Sequence, residues 1–228
     1  MKLSIIIPVY NEEKTILEII KQVKKSKIRQ VKKEIIIVDD GSFDNTPNLL
    51  KKIKDKSIKI ILSKENRGKG ASIKKGLGYC TGDIILIQDA DLEYNPQEYE
   101  KLIEPIIKDE YKIVYGSRLK GKNKRGKLAF FIGGILVTLV TDLLFFAKLT
   151  DEPTCYKVFH KEVIHILNNA QADRFEWEPE VTAKLLRKGY KIKEVPISYS
   201  ARLKGKHIKA KDGFIAILTL IKWRFKKI

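Results

Sequence analysis

The chain has 228 residues, 43% of them hydrophobic, which suits one packed domain of generous size or one domain with an appendage. Its formal net charge is +18, and no internal repeat or low-complexity block is present. The basic excess is uneven, because residues 1–115 carry 22 Lys and Arg against 18 Asp and Glu, whereas residues 116–228 carry 24 against 10. We therefore expect the C-terminal half to bind an anionic partner. That partner could be nucleic acid, anionic lipid or a phosphorylated substrate.

Cysteine usage and the N-terminal sequence indicate a reducing environment. Cys80 and Cys155 lie far apart and show no metal-ligand spacing, which favours a cytosolic protein. The first apolar run is short and is followed by NEEK, unlike a secretory signal.

Apolar runs that alternate with helically spaced segments predict the elements. We predict strands at residues 3–10, 34–40, 57–62, 82–88 and 111–117, and helices at 12–25, 46–53, 69–79 and 97–108. Continuous apolar runs such as EIIIVDD are typical of strands buried on both faces. Strand alternating with helix predicts an α/β fold with a parallel, doubly wound sheet.

In such a sheet the ligand binds beyond the carboxyl ends of the strands, so the residues there are the candidates for function. They are mainly carboxylates with a few basic groups, at positions 8–12, 39–41, 66–70, 89–93 and 116–118. The dinucleotide fingerprint G-x-G-x-x-G is absent after the first strand. The GKGAS segment at 68–72 does not fit the P-loop pattern, so we predict no glycine-rich phosphate loop.

Three acidic residues follow the fourth strand at alternate positions: Asp89, Asp91 and Glu93. In an extended chain alternate side chains point the same way, so these carboxylates could converge and would then need a cation. Oxygen ligands suit Mg²⁺ or Mn²⁺, which could bridge to a diphosphate. The alternative is a solvated acidic turn that caps the next helix at Asn95 and Pro96.

The motifs SIIIPVYNEE, IIIVDDGSFDNT, NRGKGASIKKG, GDIILIQDADLEY and GSR, in this order, resemble family 2 glycosyltransferases of the GT-A fold. The later blocks DEPTCYKVF, FEWEPEVTAKLLRKGYKIKEVPISY and KAKDGF resemble the branch of dolichol-phosphate mannose synthases and bacterial polyprenyl-phosphate glycosyltransferases. The resemblance covers nearly the whole chain. It implies a Rossmann-like, mostly parallel sheet with flanking helices and a basic, membrane-facing acceptor region. It also implies inverting transfer of a sugar from a GDP- or UDP-linked donor to a dolichyl or undecaprenyl phosphate.

The resemblance assigns residues to the donor side. The nucleotide-sugar contacts would be Pro8, Tyr10, Glu12, Ile37, Asp39, Asp89, Ala90, Asp91 and Arg118. Asp89 and Asp91 form the D-x-D motif, with Asp91 as a ligand of Mg²⁺ or Mn²⁺, and Arg118 would contact the donor diphosphate. Glu93 stands where the synthases carry Gln, and we expect it to join the metal ligands and strengthen cation binding.

On the acceptor side the resemblance assigns phosphate contacts to Arg202 and Lys206. Arg125 and Lys127 are the nearest candidates for the arginine that precedes the apolar segment of the synthases. Many family members place a catalytic acid where FEWEPE supplies Glu178. It could be the base for a hydroxyl acceptor, or it could orient sugar hydroxyls, and the sequence leaves both open.

Two segments indicate contact with a membrane. Residues 128–149 are long enough to span a bilayer, but Asp142 and Lys148 interrupt them. We expect this segment to lie on the membrane surface or to fold into the domain. Residues 213–228 are apolar with Trp223 and a basic end, which predicts an interfacial helix. The chain would then comprise a core at 1–160 and an acceptor-side region at 161–228, associated peripherally with the cytosolic membrane face.

Three hypotheses of function follow. The first is a polyprenyl-phosphate glycosyltransferase, and the second is a family 2 transferase that uses Glu178 as base toward a hydroxyl of a glycolipid or glycan. The third is a non-catalytic basic module that binds nucleotides or nucleic acid. It has the charge but no aromatic platform or nucleic-acid motif, so we expect no nucleic-acid partner.

Overall fold

The computed structural model describes residues 1–121, 123–124, 128–202 and 210–227. Its strands are β1 Lys2–Val9, β2 Lys32–Asp39, β3 Ile58–Leu62, β4 Ile84–Ile87, β5 Ile113–Ser117, β6 Asn123–Lys124, β7 Lys157–His160, β8 Ile192–Pro196 and β9 Tyr199–Ser200. Its helices are α1 Ile16–Lys25, α2 Thr46–Lys51, α3 Lys69–Leu77, α4 Tyr99–Ile107, α5 Leu128–Phe145, α6 Ile164–Asn168, α7 Trp177–Arg187 and α8 Ala210–Phe225. Short 3₁₀ turns cover Pro96–Glu98 and Lys161–Val163.

A seven-stranded sheet in the order β3-β2-β1-β4-β7-β5-β8 forms the centre of the molecule. Its neighbouring strands are parallel, except that β7 runs antiparallel to both β4 and β5. The α/β class and the mostly parallel sheet are thus confirmed, whereas a wholly parallel sheet is wrong at β7. The sequence KVFH is short and begins with the fully buried Lys157, so it offers no apolar run from which to predict a strand.

The apolar strands are buried because helices cover the sheet. In β1, the consecutive residues Ile5, Ile6 and Ile7 are all fully buried, although neighbouring side chains point to opposite faces. The helices α3 and α4 contact β1 and β5 respectively. The division into a core at 1–160 and an acceptor-side region at 161–228 stays a prediction. Strand β8 belongs to the second region and pairs in parallel with β5 of the first, within the same sheet.

Beyond the sheet, α5 and α8 pack against each other and against α7. A second apolar cluster, made by Val137, Ala183, Leu220 and Trp223, fills the contact between them. The outer faces of the two helices expose Leu128, Ile132, Leu136, Leu139 and Leu143 on α5, and Phe214, Ile215, Leu218, Ile221 and Phe225 on α8. By length and composition alone α5 could cross a membrane, and among the described segments it is the one helix of which this is true.

Candidate active site

The carboxyl end of β2 presents a buried acceptor. Asp39 ends this strand and is 1% exposed. Its Oδ2 accepts a hydrogen bond from the Ser42 amide at 3.2 Å, whereas its Oδ1 is buried and has no hydrogen-bond partner among the described residues. A buried acceptor without a partner costs free energy, so a ligand that donates here would gain affinity.

The loop after β1 lies beside Asp39 and is held by side chains of the next loop. The Asn11 amide donates to Ser42 Oγ at 2.8 Å, and the Tyr10 ring meets Phe43 edge to face with centroids 6.1 Å apart. Glu12 is buried, and its Oε2 accepts from Thr15 Oγ1 at 2.8 Å. This loop therefore brings an aromatic ring and a carboxylate to the same end of the sheet.

Two residues of the predicted donor set have apolar surroundings instead. Ile37 in β2 is fully buried and Ala90 is 4% exposed, and both belong to the main apolar core. These side chains pack inside the protein, and a contact of either residue with the nucleotide sugar stays a prediction. Pro8 lies one residue before the end of β1 and is partly exposed.

The acidic residues after β4 do not continue in an extended strand. Leu92 has a φ of +64°, so the chain turns between Asp91 and Glu93. Glu93 accepts hydrogen bonds from Tyr199 Oη at 2.6 Å and from the Arg202 amide at 2.7 Å. Among the described residues no three Asp, Glu, His or Cys side chains form a group that could hold a metal ion. The alternation argument for convergence is therefore wrong, and metal binding by the three acids stays a prediction.

Asp91 nevertheless has the surroundings of a cation ligand. Burial, followed by the charges of Asp89 and Glu93, raises the pKa of Asp91 to about 7. The Nε atom of Arg202 lies 3.8 Å from its Oδ2. A buried carboxylate that other carboxylates repel fits a hard divalent cation, which would relieve the repulsion.

Lys69 lies in the candidate segment 66–70, but no role was predicted for it. Its Nζ lies 2.8 Å from Asp89 Oδ1 and 2.8 Å from Glu178 Oε1. Burial acts to lower the pKa of Lys69, but the Asp89 and Glu178 carboxylates outweigh burial and raise it, so the ammonium stays charged. The GKGAS segment does not fit the P-loop pattern. The feature of the sequence that could have indicated Lys69 is a lysine between two glycines at the start of a helix.

Arg118 is anchored by a bidentate ion pair. Its Nε donates to Asp151 Oδ2 at 2.8 Å and its Nη2 to Asp151 Oδ1 at 2.7 Å. Asp151 is held in turn, because its amide donates to Glu194 Oε1 at 2.9 Å. No pattern in the sequence indicated these partners. The contact between Arg118 and the donor diphosphate stays a prediction.

Arg202 lies beside Asp91 of the D-x-D motif and also contacts the loop after β1. Its Nη1 is 2.7 Å from Glu12 Oε1, which joins a predicted acceptor residue to a predicted donor residue. Nearby, β6 pairs with β9, which ends two residues before Arg202. Three predicted phosphate contacts lie outside the described residues: Arg125, Lys127 and Lys206.

Comparison with known proteins decides the family. The chain matches the profile of Glycosyl transferase family 2 over residues 4–167. It belongs to that family. It is 32% identical to UDP-N-acetylglucosamine--dolichyl-phosphate N-acetylglucosaminyltransferase of Methanococcus voltae, over 85% of this chain and 83% of that protein. It is 28% identical to dolichol-phosphate mannosyltransferase of Pyrococcus furiosus, over 98% of this chain and 64% of that protein.

A solved structure shows the same fold. Glucosyl-3-phosphoglycerate synthase from Mycobacterium tuberculosis, in complex with Mn²⁺, uridine diphosphate and glucosyl-3-phosphoglycerate, superposes with a TM-score of 0.72. The two share 17% sequence identity over 97% of this chain and 79% of that one. The predicted GT-A fold is confirmed, and this protein is a nucleotide-sugar-dependent glycosyltransferase of family 2.

Proposed function

We propose that this enzyme transfers a sugar from a UDP- or GDP-linked donor to a polyprenyl phosphate at the cytosolic face of a membrane. One observation carries the proposal. Glu178 lies in the first turn of α7. Helices α5 and α8 pack against this same helix, and their outer faces are apolar and exposed. The catalytic cleft therefore lies next to a surface suited to lipid, as a membrane-bound acceptor requires. The relatives named for dolichyl-phosphate acceptors support the same assignment.

The donor would bind at the strand ends. The buried Oδ1 of Asp39 would accept a hydrogen bond from the base or ribose, and Tyr10 would line the same pocket. Asp91 would hold Mg²⁺ or Mn²⁺, which, when bound, neutralises the charge that builds on the departing diphosphate. Arg118 would add a fixed positive charge beside it. The acceptor would attack from the opposite face of the sugar, so the anomeric configuration would invert.

The arrangement of Glu178 favours a phosphate acceptor. Its Oε1 is engaged by the Lys69 ammonium at 2.8 Å, which suits a carboxylate that orients sugar hydroxyls. A polyprenyl phosphate is already ionised at neutral pH and needs no base, whereas a hydroxyl acceptor does. Arg202 lies at the mouth of the same cleft, where it could pair with an incoming phosphate once it leaves Glu12.

We place α5 on the membrane surface rather than across it. Its inner face is buried against the domain through Val137, Thr138 and Thr141, while its outer face is exposed. The last turn of α8 carries Lys222 and Arg224, which would attract anionic headgroups. A spanning helix would have to give up the packing of α5 against α7 and α8.

Two substitutions test the acceptor class. Glu178→Gln keeps an oxygen that can accept from Lys69, so with polyprenyl phosphate as acceptor we expect a loss well below the ~10²–10⁴-fold that removal of a general base causes. Arg202→Ala should reduce turnover with the phosphate acceptor more strongly. Glu162→Gln, an exposed carboxylate that pairs with Lys112, is the matched control. Collapse of turnover in Glu178→Gln, with Arg202→Ala nearly unchanged, would favour the hydroxyl acceptor instead.

A further inference from the structure

Lys69 joins three elements of the active site through two ion pairs. It is the first residue of α3, and its ammonium lies 2.8 Å from Asp89, just past the end of β4, and 2.8 Å from Glu178, near the start of α7. Its side chain is only 14% exposed. The lysine therefore sets the relative position of two carboxylates that come from separate parts of the chain.

The glycines on either side of Lys69 make this position possible. Gly68 has a φ of +113°, and a Cβ there would lie 2.5 Å from the Asp173 carbonyl oxygen. A Cβ on Gly70 would lie 2.6 Å from Trp177 Cβ. Only glycine at both positions lets the start of α3 approach the segment that leads into α7 this closely. The GKG sequence thus places one lysine between Asp89 and the start of α7.

Without a cation between them, Asp89 and Glu178 would be two carboxylates of the same sign in a poorly solvated cleft. Lys69 occupies one oxygen of each, Asp89 Oδ1 and Glu178 Oε1. Each carboxylate has a second oxygen that a hydroxyl group of a bound ligand would use as acceptor, and the Cys155 thiol also donates to Asp89. The transferred sugar carries several such hydroxyls, whereas the diphosphate group presents anionic oxygens that these carboxylates would repel. The ribose hydroxyls belong to the part of the donor that the proposed function assigns to Asp39.

We propose that Lys69 is a positioning residue for the transferred sugar, which it serves by holding Asp89 and Glu178 as paired acceptors for sugar hydroxyls. The inference rests on the nucleotide-sugar donor of the proposed function and is independent of the acceptor. Lys69 acts through the two carboxylates, so its loss affects the sugar of the donor and spares recognition of the nucleotide.

The test compares two ligands in the absence of any acceptor. The nucleotide sugar that binds best from a panel of UDP- and GDP-linked hexoses, and its matching nucleoside diphosphate, are titrated calorimetrically with Mg²⁺ present. In Lys69→Met we expect the affinity for the nucleotide sugar to fall at least about tenfold relative to that for the diphosphate. Turnover should fall about a hundredfold or more, as misplaced reacting groups require. Lys69→Arg should recover part of both.

The matched control is Lys75→Met, because Lys75 lies on the same helix and its exposed ammonium donates to Ser63 Oγ at 3.1 Å, in the loop after β3. Lys69→Met leaves two neighbouring carboxylates unpaired and is expected to destabilise the fold. The double variant Lys69→Met/Glu178→Gln removes one of these charges, so it should melt at a higher temperature than Lys69→Met and retain the sugar defect.

Two results would overturn the inference: equal loss of both ligands in Lys69→Met, or unchanged binding of the nucleotide sugar in both Lys69 variants. A protein that shows the sugar-selective defect but transfers nothing to polyprenyl phosphate would contradict the proposed acceptor and leave the role of Lys69 intact.

Discussion

Two regions of the molecule differ in composition: the carboxyl ends of the strands, where the donor would bind (the donor end), and the outer faces of α5 and α8 (the helical surface). At the donor end, charged groups are buried and paired, as Lys69 is with Asp89 and Glu178, and Arg202 with Glu12. On α5 and α8, apolar side chains are exposed instead. Buried ion pairs give fixed directions and suit one charged ligand, whereas an apolar face has no directional preference and suits a lipid chain.

The two regions also differ in what holds them. The donor groups extend from the central sheet and from helices packed on it, so their geometry follows from the main core. The helical surface depends on the smaller cluster of Val137, Ala183, Leu220 and Trp223. Substitutions at the donor end should therefore change the turnover rate, and substitutions on the helical surface should change binding to membranes.

The largest effect is expected at Asp91. Asp91→Asn removes the buried carboxylate that fits the metal, and we expect turnover to fall at least about a hundredfold, or about 2.7 kcal/mol. The melting temperature should not fall, because burial and two neighbouring carboxylates already disfavour the charge there. Initial rates and thermal denaturation with and without EDTA measure both.

Asp109→Asn is the control for Asp91, since Asp109 is exposed and pairs with Lys112 after α4, away from the cleft. It should turn over as the wild type does. Full activity in Asp91→Asn, or in EDTA, would show that turnover at the donor end does not depend on a metal held by Asp91.

An intermediate effect is expected on the helical surface. Leu139→Gln/Leu143→Gln exposes amides where the outer face of α5 would enter the lipid boundary, and we expect binding to anionic vesicles to weaken at least about tenfold. Turnover of the soluble donor, measured as slow hydrolysis, should stay unchanged. Co-sedimentation with vesicles, in low and high salt, measures the binding.

The control for this pair is Ile107→Gln, a partly exposed apolar residue at the end of α4. It should bind vesicles as the wild type does. If the α5 variant sediments normally, the exposed face has another purpose and the contrast between the two regions fails.

The smallest effect concerns stability near the start of β2, outside both regions. Burial opposes ionisation of Glu34, but hydrogen bonds from Lys2, Ser4 and Thr81 outweigh it and lower the pKa of Glu34 to about 2. Because the pKa in the folded state is depressed, the stabilisation is complete above the unfolded pKa and is lost as pH falls from about 5 toward 2. The free energy of unfolding, measured in urea, should fall less over this pH range in Glu34→Gln than in the wild type. Equal losses would show that the carboxylate is not stabilised in the fold.

Sequence periodicity predicted the five strands β1 to β5 because each is a continuous apolar run or lies between clear turn signals. It missed β7, whose Lys157 is buried by donating to the carbonyls of Glu152 and Thr154, a contact that no local pattern reveals. It also missed that Leu92 adopts a left-handed conformation, which turns Glu93 toward Tyr199.

The candidate site was predictable to the extent that it lies at strand ends. Asp39, Asp89 and Asp91 could be named as candidates because the carboxyl ends of buried parallel strands meet on one side of a sheet. The roles of Lys69, which lies in the candidate segment 66–70, and of Asp151 could not be predicted, since each acts through a partner far away in the chain, Glu178 and Arg118 respectively. Partners of that kind depend on tertiary packing, which one sequence without a structure does not display.

The most direct measurement of the central claim is the product itself. The enzyme is incubated with Mg²⁺, a panel of UDP- and GDP-linked hexoses and vesicles that contain either a polyprenyl phosphate or the matching polyprenol. We expect a sugar joined to the lipid phosphate, with release of one nucleoside diphosphate, in the phosphate vesicles alone, as detected by mass spectrometry. Transfer to the polyprenol, or no lipid product with any donor, would contradict it.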